Sequence, residues 1–121
     1  MNKIFFGLAL LLFSSVAQAY DKLDYETLIQ TNSCQKCDLT KAPLSRLDLS
    51  HADLRGALLT YANFYKATLY KAKLPRPKNF RGANFVGAMW IDGAICREGS
   101  VGTCTCKPGD FGDDACDGPV K

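Results

Sequence analysis

A five-residue period runs through about half of this chain. Between Cys37 and Arg97 a large apolar residue recurs every five positions, with a small residue two places before it. Helices return apolar residues about every 3.6 positions and strands about every 2, so this period favours neither and indicates a chain that turns once per unit. The large residues are the predicted core ladder: Leu39, Leu44, Leu49, Leu54, Leu59, Phe64, Leu69, Leu74, Phe80, Phe85, Trp90 and Ile95.

The units resemble those of a known family. Residues 52–56 read ADLRG and residues 83–87 read ANFVG, which is similar to the A(D/N)LxX signature of pentapeptide-repeat proteins. The resemblance implies an all-β solenoid over residues 37–97, a right-handed quadrilateral β-helix with about four units per coil. The twelve units would then make about three coils, stacked to a height of about 14 Å.

Residues 1–19 have the pattern of a secretory signal peptide. Lys3 precedes an apolar run over residues 4–13, and residues 17–19 read AQA, a small-x-small cleavage site. The run is shorter than the roughly 18 apolar residues that a membrane span needs. The sequence therefore predicts an exported protein, periplasmic or secreted, that begins at Tyr20 and has no transmembrane segment after cleavage.

Both ends of an open stack need a cover, because they expose apolar interior and unpaired backbone groups. Within residues 20–36, Tyr25, Leu28 and Ile29 follow helical spacing and predict a capping helix over about 22–32, with its apolar face on the first coil. Residues 98–121 are rich in Cys, Gly and Asp and predict a loop-like C-terminal cap anchored by Phe111.

The period gains an extra residue at 75–78, which reads PRPK. Two prolines cannot donate ladder hydrogen bonds, and Lys78 stands where a small inward residue is expected. The sequence predicts an outward bulge here, and a loop of this kind could hold a protein partner.

The cysteines are predicted to form disulfides, since the expected compartment is oxidising and the core is small. Proximity favours the pairs Cys34–Cys37, Cys96–Cys104 and Cys106–Cys116, although sequence spacing leaves other pairings open. The spacing of Cys34 and Cys37 also fits a thiol-disulfide motif, which stays as an alternative role. A zinc site joining this pair to Cys104 and Cys106 would have to bridge opposite ends of the stack, so no metal or cofactor is expected.

The repeat body is basic and the tail is acidic. Residues 37–97 carry ten Lys or Arg and four Asp, whereas residues 98–121 carry two Lys and five Asp or Glu. Tyrosines lie among the cations, and such a band could attract anionic glycans or lipid head groups. The candidate binding surface consists of Tyr61, Tyr65, Lys66, Tyr70, Lys71, Arg76, Lys78 and Arg81.

Catalysis is not expected. The one histidine, His51, falls at an outward position, and no Ser-His or paired-Glu constellation accompanies it. The tail aspartates could bind calcium but fit no EF-hand pattern, so a solvated acidic loop is the simpler interpretation. A nucleic-acid role is not expected either, because the family members that inhibit topoisomerases do so through long acidic surfaces and this body is basic and short.

The sequence thus predicts a non-catalytic exported scaffold, a protein-binding or structural module whose partner it does not identify. Two alternatives stay open. One is adhesion of the basic Tyr/Lys face to an anionic glycan or lipid of the envelope, and the other is the thiol-disulfide role.

Overall fold

The structure of the protein, a computed structural model, describes residues 19–106. They contain one α-helix, α1 (Lys22–Thr31), and one 3-10 helix, η1 (Pro77–Phe80). The remaining order comes from backbone hydrogen bonds and from isolated β-bridges. The predictions for the signal peptide, for Phe111 and Cys116, and for the tail aspartates lie outside the described residues.

The chain returns to the same place every four units. Parallel bridges join Asp38 to Leu58 and Asp48 to Thr68, partners that are 20 residues apart. The hydrogen bonds between these circuits run both ways: the N–H of Leu39 donates to the carbonyl of Leu58, and the N–H of Leu58 donates to that of Cys37, each with N···O of 2.8 Å. We call each circuit a rung and each of its four units a side. The five-residue period is therefore the spacing of a stack.

The predicted all-β solenoid, a quadrilateral β-helix of strands, is wrong for the described part of the chain. Residues 19–106 contain no β-strand and no sheet, and the rungs meet only at single-residue bridges. The reason is the corner that closes each unit. The N–H of Ala62 donates to the carbonyl of Leu59, three residues earlier, and Tyr61 between them has φ +58°. This is the pattern of a type II turn, and it ends the extended backbone before a second ladder pair can form.

The inside of the stack is filled by side chains. The inward leucines and phenylalanines from Leu39 to Phe85 are buried, and so are the alanines that precede them, from Ala42 to Ala88. Phe64 and Phe85 stack with ring centroids 5.1 Å apart, and Trp90 meets Phe85 edge-on at 5.0 Å. Larger rings on the third rung therefore occupy the space that leucines fill below, which keeps the interior close-packed.

The aspartate or asparagine of the repeat has a structural task. Its side-chain oxygen accepts a hydrogen bond from the N–H two residues later, as Asn63 does from Tyr65 at 3.0 Å and Asn84 from Val86 at 3.0 Å. Short polar side chains favour this local bond, which satisfies a backbone donor just before the corner. In the units that carry Asp or Asn before the central apolar residue, this side chain therefore stabilises the turn.

The irregularity at 75–78 leads into η1. Lys78 is exposed, as expected for a charged residue, whereas Pro75 is buried. After η1 the bridges join residues 21 apart, as in the pair Asn63 and Asn84. The stack thus accepts the extra residue without losing its alignment.

The prediction that Ile95 points inward is wrong. The chain reverses after Trp90, where the N–H of Trp90 donates to the carbonyl of Ala94 at 2.7 Å and Gly93 has φ +94°. Ala94 and Cys96 are buried in its place, and Ile95 is 53% exposed. Antiparallel bridges then pair Met89 with Ile95 and Asn84 with Val101. We call residues 94–104 the return segment, and it covers the third rung instead of completing it.

Helix α1 covers the other end. Asp21 accepts a hydrogen bond from the N–H of Asp24 as its N-cap, and Leu28 is buried against the first rung. Side chains of this segment satisfy the outer backbone groups of that rung: the Asp24 carboxylate accepts from the N–H of Asp38 at 2.8 Å, and Tyr25 donates to the carbonyl of Pro43 at 3.3 Å. Ile29 was expected on the buried face of α1 as well, but its side chain is 47% exposed.

Stacked corners place a glycine over the long side chain of the rung below. At Gly82, with φ +71°, an added Cβ would lie 2.4 Å from a ring carbon of Tyr61. At Gly99, with φ +89°, it would meet no atom of residues 19–106 within 4 Å. Both positions penalise an alanine through the backbone, but only Gly82 adds a steric conflict.

We therefore expect Gly82→Ala to lower the free energy of unfolding by about 1–2 kcal/mol more than Gly99→Ala does. Urea unfolding of both variants measures the difference. In a Tyr61→Ala background the excess should disappear. Equal destabilisation by the two substitutions would show instead that the Tyr61 ring moves aside freely.

Candidate binding surface

The corners carry the basic residues outward. In the part of the chain that the structure describes, seven corners with positive φ are not glycine, and all but Tyr61 are basic or histidine: Lys36, Lys41, Arg46, His51, Lys66 and Lys71. A type II turn favours glycine at this position, and a side chain there costs roughly 1 kcal/mol. The turn alone does not explain why Lys, Arg or His stands at six of the seven positions.

Two cations share one tyrosine at the first of these clusters. The guanidinium carbon of Arg46 lies 5.9 Å from the centre of the Tyr65 ring, and Nζ of Lys66 lies 5.2 Å from it. Arg46 and Lys66 are one rung apart at the same corner, since the N–H of Arg46 donates to the carbonyl of Tyr65. The ring can hold both charges at a distance that favours cation–π attraction.

The next corner repeats the arrangement around Tyr70. Nζ of Lys71 lies 5.3 Å from the centre of its ring, and His51 meets the ring edge-on at 6.3 Å. Tyr70 is 38% exposed, so part of its ring faces solvent. Four basic groups and two tyrosines therefore flank one side of the stack.

The structure divides the surface predicted from the sequence. Tyr65, Lys66, Tyr70 and Lys71 come together at two neighbouring corners. Tyr61 lies at a different corner, below Gly82. The remaining predicted members, all exposed, lie around η1: Arg76, Lys78 and Arg81.

Arg46 and His51 belong to the surface but were absent from the predicted set. Each lies 20 residues before a predicted member, Arg46 before Lys66 and His51 before Lys71. A comparison of residues 20 positions apart, the length of four units, predicts both.

On another side of the stack, a cation and a carboxylate pair with each other. Asp53 accepts two hydrogen bonds from the Arg55 guanidinium, at 2.9 and 2.8 Å, and a third from Gln35 at 2.7 Å. The Arg55 bonds hold the pKa of the Asp53 carboxyl well below its usual range. Within residues 19–106 this is the one salt bridge, so the corner cations around Tyr65 and Tyr70 have no described carboxylate within 4 Å.

The Asp53 carboxyl makes unfolding depend on pH in a defined direction. Because its pKa is lowered on folding, its contribution is complete above the ordinary value of about 3.9 and is lost as pH falls below that. Asp48 acts in the same sense, since a hydrogen bond from the Ser50 hydroxyl lowers its pKa. We expect Asp53→Asn to flatten the acid limb of a plot of unfolding free energy against pH.

Urea unfolding between pH 2 and pH 6 measures that limb. Arg55→Gln keeps the carboxylate but removes the main cause of the low pKa, and it should flatten the limb as well. A variant that loses the same stability at every pH would contradict this assignment.

Two disulfides join the repeat to its ends. Cys34 and Cys37 are bonded, with Cα atoms 5.4 Å apart, and so are Cys96 and Cys104, at 5.0 Å. Both pairs are those expected from proximity. Cys106 is disulfide-bonded as well, and its predicted partner Cys116 lies outside the described residues.

The surroundings of Cys34 and Cys37 do not suit a reactive thiol. Both are buried, and the Asp24 carboxylate lies within 4.8 Å of the two sulfurs. A thiolate formed here would face a negative charge, whereas reactive cysteines lie near cations or helix N-termini. The same three side chains could form a metal-ligand group by distance, but the disulfide occupies both sulfurs. The geometry favours a structural staple.

The described residues include no helix long and apolar enough to cross a bilayer. The rungs, the inward Leu and Ala columns and the corner turns define a repeat protein, in which function belongs to the outer surface. Residues 37–74 match the family described as Pentapeptide repeats, in 8 copies, so this part of the chain consists of pentapeptide repeats. No curated protein sequence matches it.

The family match ends at Leu74, where the period breaks. The units centred on Phe80, Phe85 and Trp90 continue the stack beyond that point, because parallel bridges place Asn84 on Asn63 and Met89 on Thr68.

Proposed function

We propose that this chain is an exported, non-catalytic module that binds a partner through its outer surface. The main observation behind this proposal is that side chains fill the interior of the stack. Inward side chains from Leu39 to Phe85 have exposed fractions of 0–9%, and α1 and the return segment cover the two ends. Within residues 19–106 side chains fill the interior, so the sides and corners are what a partner can contact.

Export is supported by the disulfides. Two pairs at bonding distance and a third bonded cysteine are typical of proteins that mature in an oxidising compartment. The signal-peptide pattern of residues 1–19 agrees with this interpretation. Together they support the proposal that the module works in the periplasm or outside the cell.

Cross-linking in the native envelope, followed by identification of the attached molecule, tests the proposal. A photoreactive residue at position 70 should capture a partner that the same residue at position 55, on the side with the internal ion pair, does not. Capture of nothing at any outward position, together with turnover of a substrate by the purified chain, would overturn it.

A second candidate, adhesion to an anionic component of the envelope, is favoured by the corner cations. Arg46, Lys66 and Lys71 lie over tyrosine rings rather than beside described carboxylates, so their charge is available to a ligand. Adhesion dominated by charge should weaken steeply with added salt, and a packed protein interface should weaken much less. A salt titration of the captured complex separates the two candidates.

A further inference from the structure

One side of the stack combines free cations with exposed apolar groups. We call it the Tyr70 side, the side whose units are centred on Leu49, Leu69 and Trp90. Bridges align an outward column from Asp48 through Thr68 and Met89 to Ile95. A second column is aligned by backbone hydrogen bonds and runs from Ser50 through Tyr70 to Ile91.

The composition of the Tyr70 side changes along the stack. Near α1 it carries Asp48 and Ser50, and near the return segment it carries Met89, Ile91 and Ile95. Ile95 is 53% exposed because the chain reverses after Trp90. An isoleucine that the simple repeat would bury is instead presented on the surface, on the same side of the stack as Tyr70.

Charge lies on both edges of this apolar area. Arg46 and Lys66 stand at one corner, and His51 and Lys71 stand at the other. The neighbouring side, whose units follow His51 and Lys71 along the chain, differs because Asp53 there pairs with Arg55. The Asn63 side ends in a similar exposed residue, Val101, but its column of Asn63 and Asn84 is uncharged.

We propose that the Tyr70 side binds the surface of an anionic lipid bilayer. Cations that flank exposed aromatic and aliphatic groups match an interface where phosphates lie above the acyl chains. Lys66 and Lys71 would meet phosphates at the two edges, while Tyr70 and Ile95 enter the head-group region. Tyrosine suits this depth because its ring is apolar and its hydroxyl is polar.

This proposal deepens the adhesion candidate and rests on it. It selects lipid over anionic glycan because a polyanion alone gives no reason for an exposed isoleucine between the cations. Lipid binding by the Tyr70 side does not depend on a protein partner that binds elsewhere on the stack. If the chain does not bind lipid, the proposal that it is a binding module still stands.

The test uses the purified full chain and vesicles of phosphatidylglycerol and phosphatidylcholine in equal parts, with pure phosphatidylcholine as reference. Lys66→Glu/Lys71→Glu should weaken co-sedimentation by at least roughly tenfold, since each cation near the surface contributes about fivefold. The matched control is Lys36→Glu/Lys41→Glu, which makes the same change of net charge at corners of the same backbone conformation. We expect the control to stay within about twofold of the parent chain.

A second matched pair tests the apolar contribution. Ile95→Ser should weaken vesicle binding by roughly threefold to tenfold, whereas Val101→Ser, an equally exposed residue of the return segment on the Asn63 side, should not. The fluorescence of Trp90, the single tryptophan, shows that each variant is folded.

Equal losses from both charge-reversal variants would indicate attraction without a defined surface and would overturn the proposal. The same holds if dextran sulfate competes fully with the vesicles and Ile95→Ser binds them unchanged, which would indicate a glycan site instead. Equal binding to vesicles with and without phosphatidylglycerol would also contradict it.

Discussion

Replacing Phe85 with alanine is expected to lower the free energy of unfolding by about 3–5 kcal/mol. Phe85 is fully buried and stands between three other rings: it stacks on Phe64 at 5.1 Å and meets Phe80 and Trp90 edge-on at 5.6 and 5.0 Å. Alanine would leave a cavity where the third rung closes on the second. Since a domain of this size has little stability in reserve, much of the protein should be unfolded.

Urea unfolding followed by Trp90 fluorescence measures this effect. Phe85→Leu keeps an apolar side chain and should cost only about 1–2 kcal/mol. Ile95→Ala is the surface control and should change stability by about 0.5 kcal/mol or less. A large loss from Ile95→Ala would restore the inward position that the period predicts and would contradict the reversal after Trp90.

Removing the disulfide between Cys96 and Cys104 should have the second largest effect. The two cysteines are eight residues apart, and releasing a loop of this length costs about 2–3 kcal/mol. The Cys96→Ala/Cys104→Ala variant also frees the return segment. That segment accepts hydrogen bonds from the N–H groups of Phe85, Gly87 and Trp90 through the carbonyls of Ser100, Cys96 and Ala94.

Amide hydrogen exchange distinguishes local release from general weakening. The N–H groups of Phe85, Gly87 and Trp90 should lose protection, while those of Leu39 and Leu44, which donate to the second rung, keep it. The comparison variant is Cys34→Ala/Cys37→Ala, which should affect the α1 end instead. Uniform loss of protection in both variants would show that the stack opens as one unit and not from its ends.

Much of the interior could be predicted from the sequence. Eleven of the twelve ladder residues are buried, because an apolar period is a direct record of which side chains face inward. The absence of strands could not be predicted. It depends on the backbone conformation at each corner, and residue types such as Lys41, Tyr61 and Lys66 do not indicate a positive φ.

The candidate surface was predictable in part. The period places Tyr65 and Tyr70 beside Lys66 and Lys71, but the rung length of 20 residues is needed to add Arg46 and His51. The exposure of Ile95 could not be predicted, because it follows from a reversal at Gly93 that the covalent link between Cys96 and Cys104 accompanies.

The reversal after Trp90 also changes the rule that relates sequence to position. Up to Trp90 every fifth residue is committed to the interior, and a substitution there is felt by the rungs above and below. At the start of the antiparallel return, buried Ala94 and Cys96 alternate with exposed Ile95 and Arg97, so these four side chains face inward and outward in turn. Residues on the outer face of this final layer can therefore vary independently of the repeat, and the protein can adjust what it presents at that end without rebuilding the stack.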